Sequence, residues 1–312
     1  MALLDVPAIR QAYPVAPVVA GAGVKLRPVA GELAGCCPFH ADRSPSFYVF
    51  GKGERWHCFG CGASGDVLDF VQRAYSVTMR QAAERLCGGD LPVIDAPKVD
   101  ARGERSNSYA LEIIHDSAPI DGTPAEGYLR RRGITFALPP ALRFARLKPP
   151  KDSGVLAANG PGLLPALVAV VTGPDGTPAG IQRIYLTNDG RKAASADGKV
   201  KFSLGFVRGG AVRLGPVLDH GLVLSGSVED GLSLLEMGAP SVWAAPGEGG
   251  LRGMHLPELV RGVVIGGDGD REGRRHAEAA ALAIVRGERE VRIVYPGGGA
   301  KDFNEELRGG EA

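Results

Sequence analysis

The densest chemistry in the chain is Cys37-x2-His40, a gap of 17 residues, then Cys58-x2-Cys61. Each x2 pair lets two ligands on one tight knuckle reach the same ion, and two knuckles complete a tetrahedral Cys3His set suited to Zn2+. Four protein ligands leave no open position, so the expected zinc is structural and contributes folding energy to a small domain. An odd total of five cysteines, four of them clustered, favours ligation over disulfides in a cytosolic chain. Cys36 and Cys87 read as bystanders.

A second set of candidate ligands is made of oxygen. Asp268 and Asp270 flank Gly269 in "RGVVIGGDGDREG", after an apolar strand and before a helix. A turn at Gly269 brings both carboxylates toward one mouth, which suits Mg2+ or Mn2+ shared with phosphates. Asp302 follows the Gly-rich turn after the next strand and can join them, while Glu229 and Asp230 stand at another strand end. An isolated Asp-x-Asp is as readily a pair of helix-capping acids. The companion acids at other strand ends make this one a candidate site.

The net charge of +1 conceals a partition: −3 over residues 1–126, +10 over 127–215 and −6 over 216–312. A basic middle beside an acidic last third suits a protein that handles a polyanion and binds metal through carboxylates. Arg183, Arg191, Lys192, Lys199, Lys201, Arg208 and Arg213 are candidate contacts for template or nucleotide phosphates. Lysines and arginines that merely block sheet edges are the alternative. Near the zinc ligands, Arg43, Lys52 and Arg55 with Tyr48, Trp56 and His57 could pair with and stack on single-stranded nucleic acid. The other use of such aromatics is the little domain's core, which is the reading for Phe47 and Phe59.

The elements that must position these groups follow from pattern. A length of 312 residues suits two or three compact units, and 44% hydrophobic but 6% aromatic residues means aliphatic cores. "SFYVF" and "RWHCF" read as short strands, followed by a helix capped by Ser64 or Asp66 with Val67, Leu68, Phe70 and Val71 inward. Residues 88–107 mix Gly, Pro and charge without periodicity and read as a tether. Helices are expected from Tyr109 and over "AEGYLRRRGIT"; the three successive arginines there cannot share one face, and a solvated helix end is the reading for any single one. Residues 164–215 alternate as strands with "PDG" and "NDG" hairpin turns, an antiparallel sheet. After residue 217 strands and helices alternate, the signature of a parallel α/β sheet with ligands at the strands' carboxyl ends. No apolar run of about 18 residues is present, and the N-terminus lacks a secretory signal's basic start, so a cytoplasmic protein with no membrane partner is expected.

"CPFH", "SPSF", "HCFGCG" and "GDVLDF", at these spacings, resemble the zinc-binding domain of bacterial DnaG-type primases. "GGDGDREG" with its companion acids resembles a Toprim domain, the metal-binding module of those primases. "YLRRRGI", "AGIQRIYLTNDGRKA", "GGAVRLG", "VWAA" and "KDFNEEL" look like the zinc-finger Toprim primases of phages, plasmids and their bacterial hosts. The resemblance implies an α/β (α+β overall) chain: a zinc-ribbon domain over 1–87, the tether 88–107, a basic antiparallel-sheet part of the polymerase core over 108–217, and a Toprim domain over 218–312. It also implies Asp268, Asp270 and Asp302 as metal ligands, Asp230 as a supporting acid, and Lys192 and Arg208 as nucleotide-phosphate contacts. In one place the chain departs from the family: the Glu-Gly step after the first Toprim strand is Gly226-Ser227 here. Glycine carries no proton, and Glu229 lies three residues on.

The expected function is primer synthesis on single-stranded DNA from nucleoside triphosphates, with a structural Zn2+ and catalytic Mg2+ or Mn2+. No GxxxxGK[ST] loop occurs, so unwinding would need a separate helicase. The alternative, supported by Gly226, is a catalytically weakened or inactive adaptor that binds single-stranded DNA in replication or recombination.

Overall fold

The computed structural model of the chain describes residues 5–29, 32–42, 45–50, 53–89, 91–93, 101–285 and 289–309, without the side chains of 101–104 and 248–249. Arg43 and Lys52, two of the expected basic contacts, lie outside the described residues. The chain forms two compact units, Met1–Arg102 and Gly103–Ala312.

In the first unit, α1 (Val6–Ala12) and α2 (Val15–Gly21) precede a five-stranded antiparallel sheet in sequence order. Its strands are β1 (Arg27–Val29), β2 (Glu32–Gly35), β3 (Phe47–Phe50), β4 (Arg55–Cys58) and β5 (Ser64–Gly65). Two helices follow, α3 (Val67–Tyr75) and α4 (Met79–Gly88). Of the two candidate caps, Asp66 starts α3: its carboxylate accepts from Leu68 N (2.8 Å) and Asp69 N (3.2 Å), and Asp69 returns a bond to Asp66 N (2.9 Å). This reciprocal capping box leaves Val67, Leu68, Phe70 and Val71 facing the core.

Side-chain alternation decides the fate of the aromatics. Trp56 and Cys58 are two apart on β4 and share the inward face, where Trp56 stacks on Phe47 (5.1 Å) and donates from Nε1 to Asp66 O (2.8 Å). Trp56 is 1% exposed and Tyr48 fully buried, so neither offers a free face for a base. Phe47 is core as expected. Phe59 is not: it falls on the opposite face with His57, half-buried, against His57 (4.4 Å) and Tyr48 (5.5 Å).

The second unit opens with α5 (Ala101–Asp116). That helix begins inside the stretch read as a tether, because its first turns carry charge and no apolar periodicity to announce them. An antiparallel sheet follows in the order β10-β9-β8-β7-β6. Its strands are β6 (Ala118–Pro119), β7 (Leu142–Leu147), β8 (Leu164–Thr172), β9 (Pro178–Tyr185) and β10 (Lys201–Gly205), with α6 (Pro124–Arg130) and α7 (Gly154–Asn159) between. The "PDG" turn joins β8 to β9 as expected. The "NDG" turn instead closes a short bridge between Leu186 and Lys192. Gly190 there has φ +74°, and a Cβ would lie 2.6 Å from Pro124 O, so only glycine lets this loop rest on α6.

The third sheet runs β11-β13-β12-β14-β15: β11 (Val212–Arg213), β12 (Gly221–Ser225), β13 (Val242–Ala244), β14 (Gly262–Gly266) and β15 (Glu290–Val294). The last four are parallel, and β11 pairs antiparallel with β13. "GGAVRLG" thus contributes its strand to this sheet and not, as its position suggested, to the preceding one. Helices α8 (Val228–Glu236), α9 (Arg271–Val285) and α10 (Phe303–Leu307) follow β12, β14 and β15. One apolar cluster runs from Leu167 and Ile184 to Val228, Val242 and Phe303, so the second and third sheets share a core. No described helix is long and apolar enough to cross a membrane.

Candidate zinc and carboxylate sites

Cys37 and His40 follow β2, while Cys58 ends β4 and Cys61 lies in the turn before β5. Their four ligand atoms lie within 4.8 Å of one another. Cys37 Sγ is 4.0 Å from Cys61 Sγ, and Cys58 Sγ is 3.7 Å from His40 Nδ1. A tetrahedral ion with Zn–S bonds of about 2.3 Å needs sulfurs roughly 3.8 Å apart, so the donor set fits zinc in both chemistry and spacing. Among the described residues, these four form the one group of three or more potential ligands that converges in this way.

The surroundings prepare the ligands. The Cys37 thiol, the Ser46 hydroxyl and the Cys61 amide hydrogen-bond to Cys58 and hold its thiol down at about 5 against the opposing effect of burial. Asp42 Oδ2 accepts from Cys37 N (2.7 Å) and Ser46 Oγ (2.6 Å), and that hydroxyl lies 3.3 Å from Cys58 Sγ. Gly60 gives the imidazole its seat, since a Cβ there would meet His40 Nε2 at 2.4 Å. Asp42 and Ser46 escaped the sequence reading because neither can be told from an ordinary turn residue without the fold. Ser46→Ala is expected to weaken zinc affinity by about 10- to 100-fold, the usual cost of losing a group that braces a metal ligand. Competition with a chromophoric chelator measures it.

The carboxylates gather more loosely. Asp268 and Asp270 follow β14, Asp230 sits in the first turn of α8 after β12, and Asp302 caps α10 after β15, all at the carboxyl ends of parallel strands. Gly269 N donates to Lys301 O (2.7 Å), tying the Asp268–Asp270 turn to the segment that carries Asp302. Asp270 also accepts from Gly273 N (2.8 Å) with Lys301 Nζ 3.8 Å away, and both influences hold its carboxyl below the usual range. Asp230 is buried. Burial and the neighbouring Asp302 and Glu229 push its carboxyl up, while the Ser227 hydroxyl and Lys201 oppose them. Its Oδ1 and the Oε2 of Glu229 are buried without a hydrogen-bond partner. The buried, unpartnered Asp230 Oδ1 is what a bound cation would satisfy, and the all-carboxylate donor set suits an oxygen-ligated divalent ion in its chemistry, although the acids do not converge on one point as the zinc ligands do.

Glu229 is locked. It is 4% exposed, and its Oε1 accepts from Lys201 Nζ (2.8 Å) and Tyr128 OH (3.0 Å). Burial would raise its carboxyl, but Lys201 and Arg132 outweigh burial and bring it to about 2. Arg132 donates to Tyr128 OH (2.9 Å), lies over that ring and bonds Asn304. Asn304 in turn donates to Arg132 O (2.8 Å) and Ser233 Oγ (3.0 Å). The other two arginines of the run are also bonded: Arg130 to Ile134 O and Phe136 O, Arg131 to Gly190 O. Arg130 and Arg131 are exposed at the helix end, as expected, while Arg132 turns inward. With Tyr128, from the same "YLRRRGI" stretch, it joins the site, a role the sequence did not assign to either.

The basic candidates divide. Lys201 and Lys192 stand with Glu229 and Asp302; desolvation, Lys201 and Arg132 lower the Lys192 ammonium, and the two acids oppose them. Arg183 is buried within β9 at 6% exposure, its Nη1 3.5 Å from Tyr185 OH. Arg213 is stacked over Trp243 (4.3 Å) and donates to Gly173 O. Arg191 pairs with Asp189 at the surface (3.0 Å), Lys199 lies over Phe202, and Arg208 is exposed.

Residues 4–95 match the CHC2 zinc finger and residues 222–311 a Toprim domain. The chain combines a CHC2 zinc finger with a Toprim domain. Between them, residues 104–214 match a domain of unknown function, DUF7146. The DNA primase of Deinococcus radiodurans is 39% identical over 119 residues, 37% of this chain and 20% of that one. The DNA primase of Mycobacterium tuberculosis is 45% identical over 145 residues, 43% of this chain and 22% of that one. The chain thus spans about a fifth of the length of these curated relatives. The zinc-binding and RNA polymerase domains of the Aquifex aeolicus primase superpose with a TM-score of 0.44 at 20% identity, covering 99% of this chain and 83% of theirs. The Cys37, His40, Cys58 and Cys61 cluster lies inside the CHC2 zinc finger. Asp230, Asp268, Asp270 and Asp302 all lie inside the Toprim domain.

Proposed function

We propose that the protein is a DNA primase that joins nucleoside triphosphates into short RNA primers on single-stranded DNA, with a separate helicase as partner and the cytoplasm as its place of work. The observation that carries this reading is the presence, in one chain, of a closed Cys3His centre and a set of Toprim acids beside Lys192, Lys201 and Arg132. Asp268, Asp270 and Asp302 would hold Mg2+ or Mn2+, with Asp230 supporting them. When bound, that ion supplies charge neutralisation on the leaving pyrophosphate and a lower pKa for the attacking 3′-hydroxyl. Lys192 and Lys201 attract and orient the triphosphate, and Arg132 keeps Tyr128 and Asn304 in register beside them. Positioning and electrostatics supply most of the rate in transfers of this type. In the zinc domain, exposed Arg55 and half-buried His57 remain to meet the template strand, the Tyr48 and Trp56 faces being internal.

Gly226 favours a second reading, an adaptor that binds single-stranded DNA without synthesis. Primer synthesis from labelled nucleotides on single-stranded DNA separates the two. If the wild-type chain is weak or silent, Gly226→Glu is expected to raise synthesis by about 10²- to 10⁴-fold, the usual worth of a general acid or base. No gain in that variant would support the adaptor.

A further inference from the structure

We propose that Glu229 is a positioning residue: it anchors the Lys201 ammonium so that a phosphate of the incoming nucleoside triphosphate meets a cation at a fixed place. The inference rests on the primase reading and deepens it. In the sequence Glu229 stood as a possible substitute for the acid missing at Gly226. The fold gives it another task. Its Oε1 is taken by Lys201 Nζ at 2.8 Å and Tyr128 OH at 3.0 Å, and its Oε2 is sealed from solvent. A carboxylate enclosed in this way cannot reach a substrate proton, so it is not a catalytic residue.

Lys201 differs from its partner in accessibility. Its side chain is 35% exposed where that of Glu229 is 4% exposed. An ammonium has three N–H donors, and Glu229 uses one of them. Lysine is a flexible point charge, so a cation meant to meet a phosphate in register must be restrained by something. The carboxylate does that from below, and Tyr128 is braced in turn by Arg132 (2.9 Å). Together these contacts join β10, α6 and α8, three elements far apart in sequence, at one ion pair. The pair is neutral as a unit. Removing the carboxylate frees Lys201 to swing toward water, so the first-order loss is of a fixed donor and not of net charge.

The test is a double-mutant cycle of Glu229→Gln and Lys201→Ala, read as the affinity for ATP with Mg2+ in the full chain and as kcat and KM for primer synthesis. Lys201→Ala is expected to weaken ATP binding about tenfold by loss of one charge-assisted bond. Glu229→Gln alone should weaken it about fivefold, and should change nothing further in the Lys201→Ala background, because it acts through that lysine. Lys201→Arg preserves the ion pair and should keep ATP affinity within about threefold, which provides a readout if Glu229→Gln fails to fold. Equal losses from Glu229→Gln with and without Lys201 would overturn the proposal, as would tighter ATP binding by Glu229→Gln or a Lys201→Arg loss as large as that of Lys201→Ala. A chain that binds ATP and shows the coupling, yet makes no primer either as wild type or as Gly226→Glu, would remove the primase reading and leave the positioning role standing. Primer synthesis with additive effects would do the reverse.

Discussion

Replacing Cys58 with alanine is expected to remove zinc from the chain and to unfold its first unit while the second stays folded. Metal analysis should find about one zinc per wild-type chain and almost none in the variant. The reasoning is thermodynamic. Binding to a structural site of this kind is worth on the order of 10 kcal/mol at neutral pH, and that free energy belongs to folding. Cys58 is fully buried, lies in contact with Cys37, His40 and Ser46, and shares the inward face of β4 with Trp56. Removing its sulfur takes a ligand and a core atom together. The chain has two tryptophans, Trp56 in the first unit and Trp243 in the second. In a Trp243→Phe background the emission therefore reports on the zinc-bearing unit alone, and it should shift to the red in Cys58→Ala or on addition of a strong chelator. Undiminished zinc in Cys58→Ala would refute the ligand assignment.

Much of this was readable from the residues. The zinc set was legible because metal ligation imposes spacing, and spacing survives in one dimension. The Toprim sheet was legible for a similar reason: "HGLVLSG", "RGVVIGGDGD" and "REVRIVYPGGG" are apolar runs that give way to glycine, and the fold turns them into β12, β14 and β15. What escaped was set by tertiary contact. Tyr128 meets Glu229 across 101 residues, and Arg132 meets Asn304 across 172, with no local pattern to announce either pair. Strand β7 was hidden by Arg143 and Arg146 inside "LRFARL". The fate of Trp56 followed from a rule that was available: on a strand, a residue two from a buried ligand faces the same way. The acid at 229 stood at the right end of the right strand, and only the position of Lys201 shows that it points inward.

The second large effect expected is on synthesis itself. Asp268→Asn should lower primer formation by roughly 10³-fold or more. A metal ligand at a phosphoryl-transfer centre controls several kcal/mol of transition-state charge, and each 1.4 kcal/mol is about tenfold in rate. Asp268 is half-buried at the end of β14, on a turn that Gly269 N ties to Lys301 O, so asparagine preserves shape and removes charge. Folding should be unchanged, and zinc content should be unchanged too, because the zinc centre belongs to the other unit.

That variant supplies the control for the most direct test of the account. Purified full-length protein, single-stranded DNA, labelled nucleoside triphosphates and Mg2+ or Mn2+ are combined, and products are resolved by length. The account predicts short primers from the wild-type chain and essentially none from Asp268→Asn. Primers of equal yield from both would contradict the carboxylate site, and no product from the wild-type chain or from Gly226→Glu with either metal would contradict the assignment of primer synthesis.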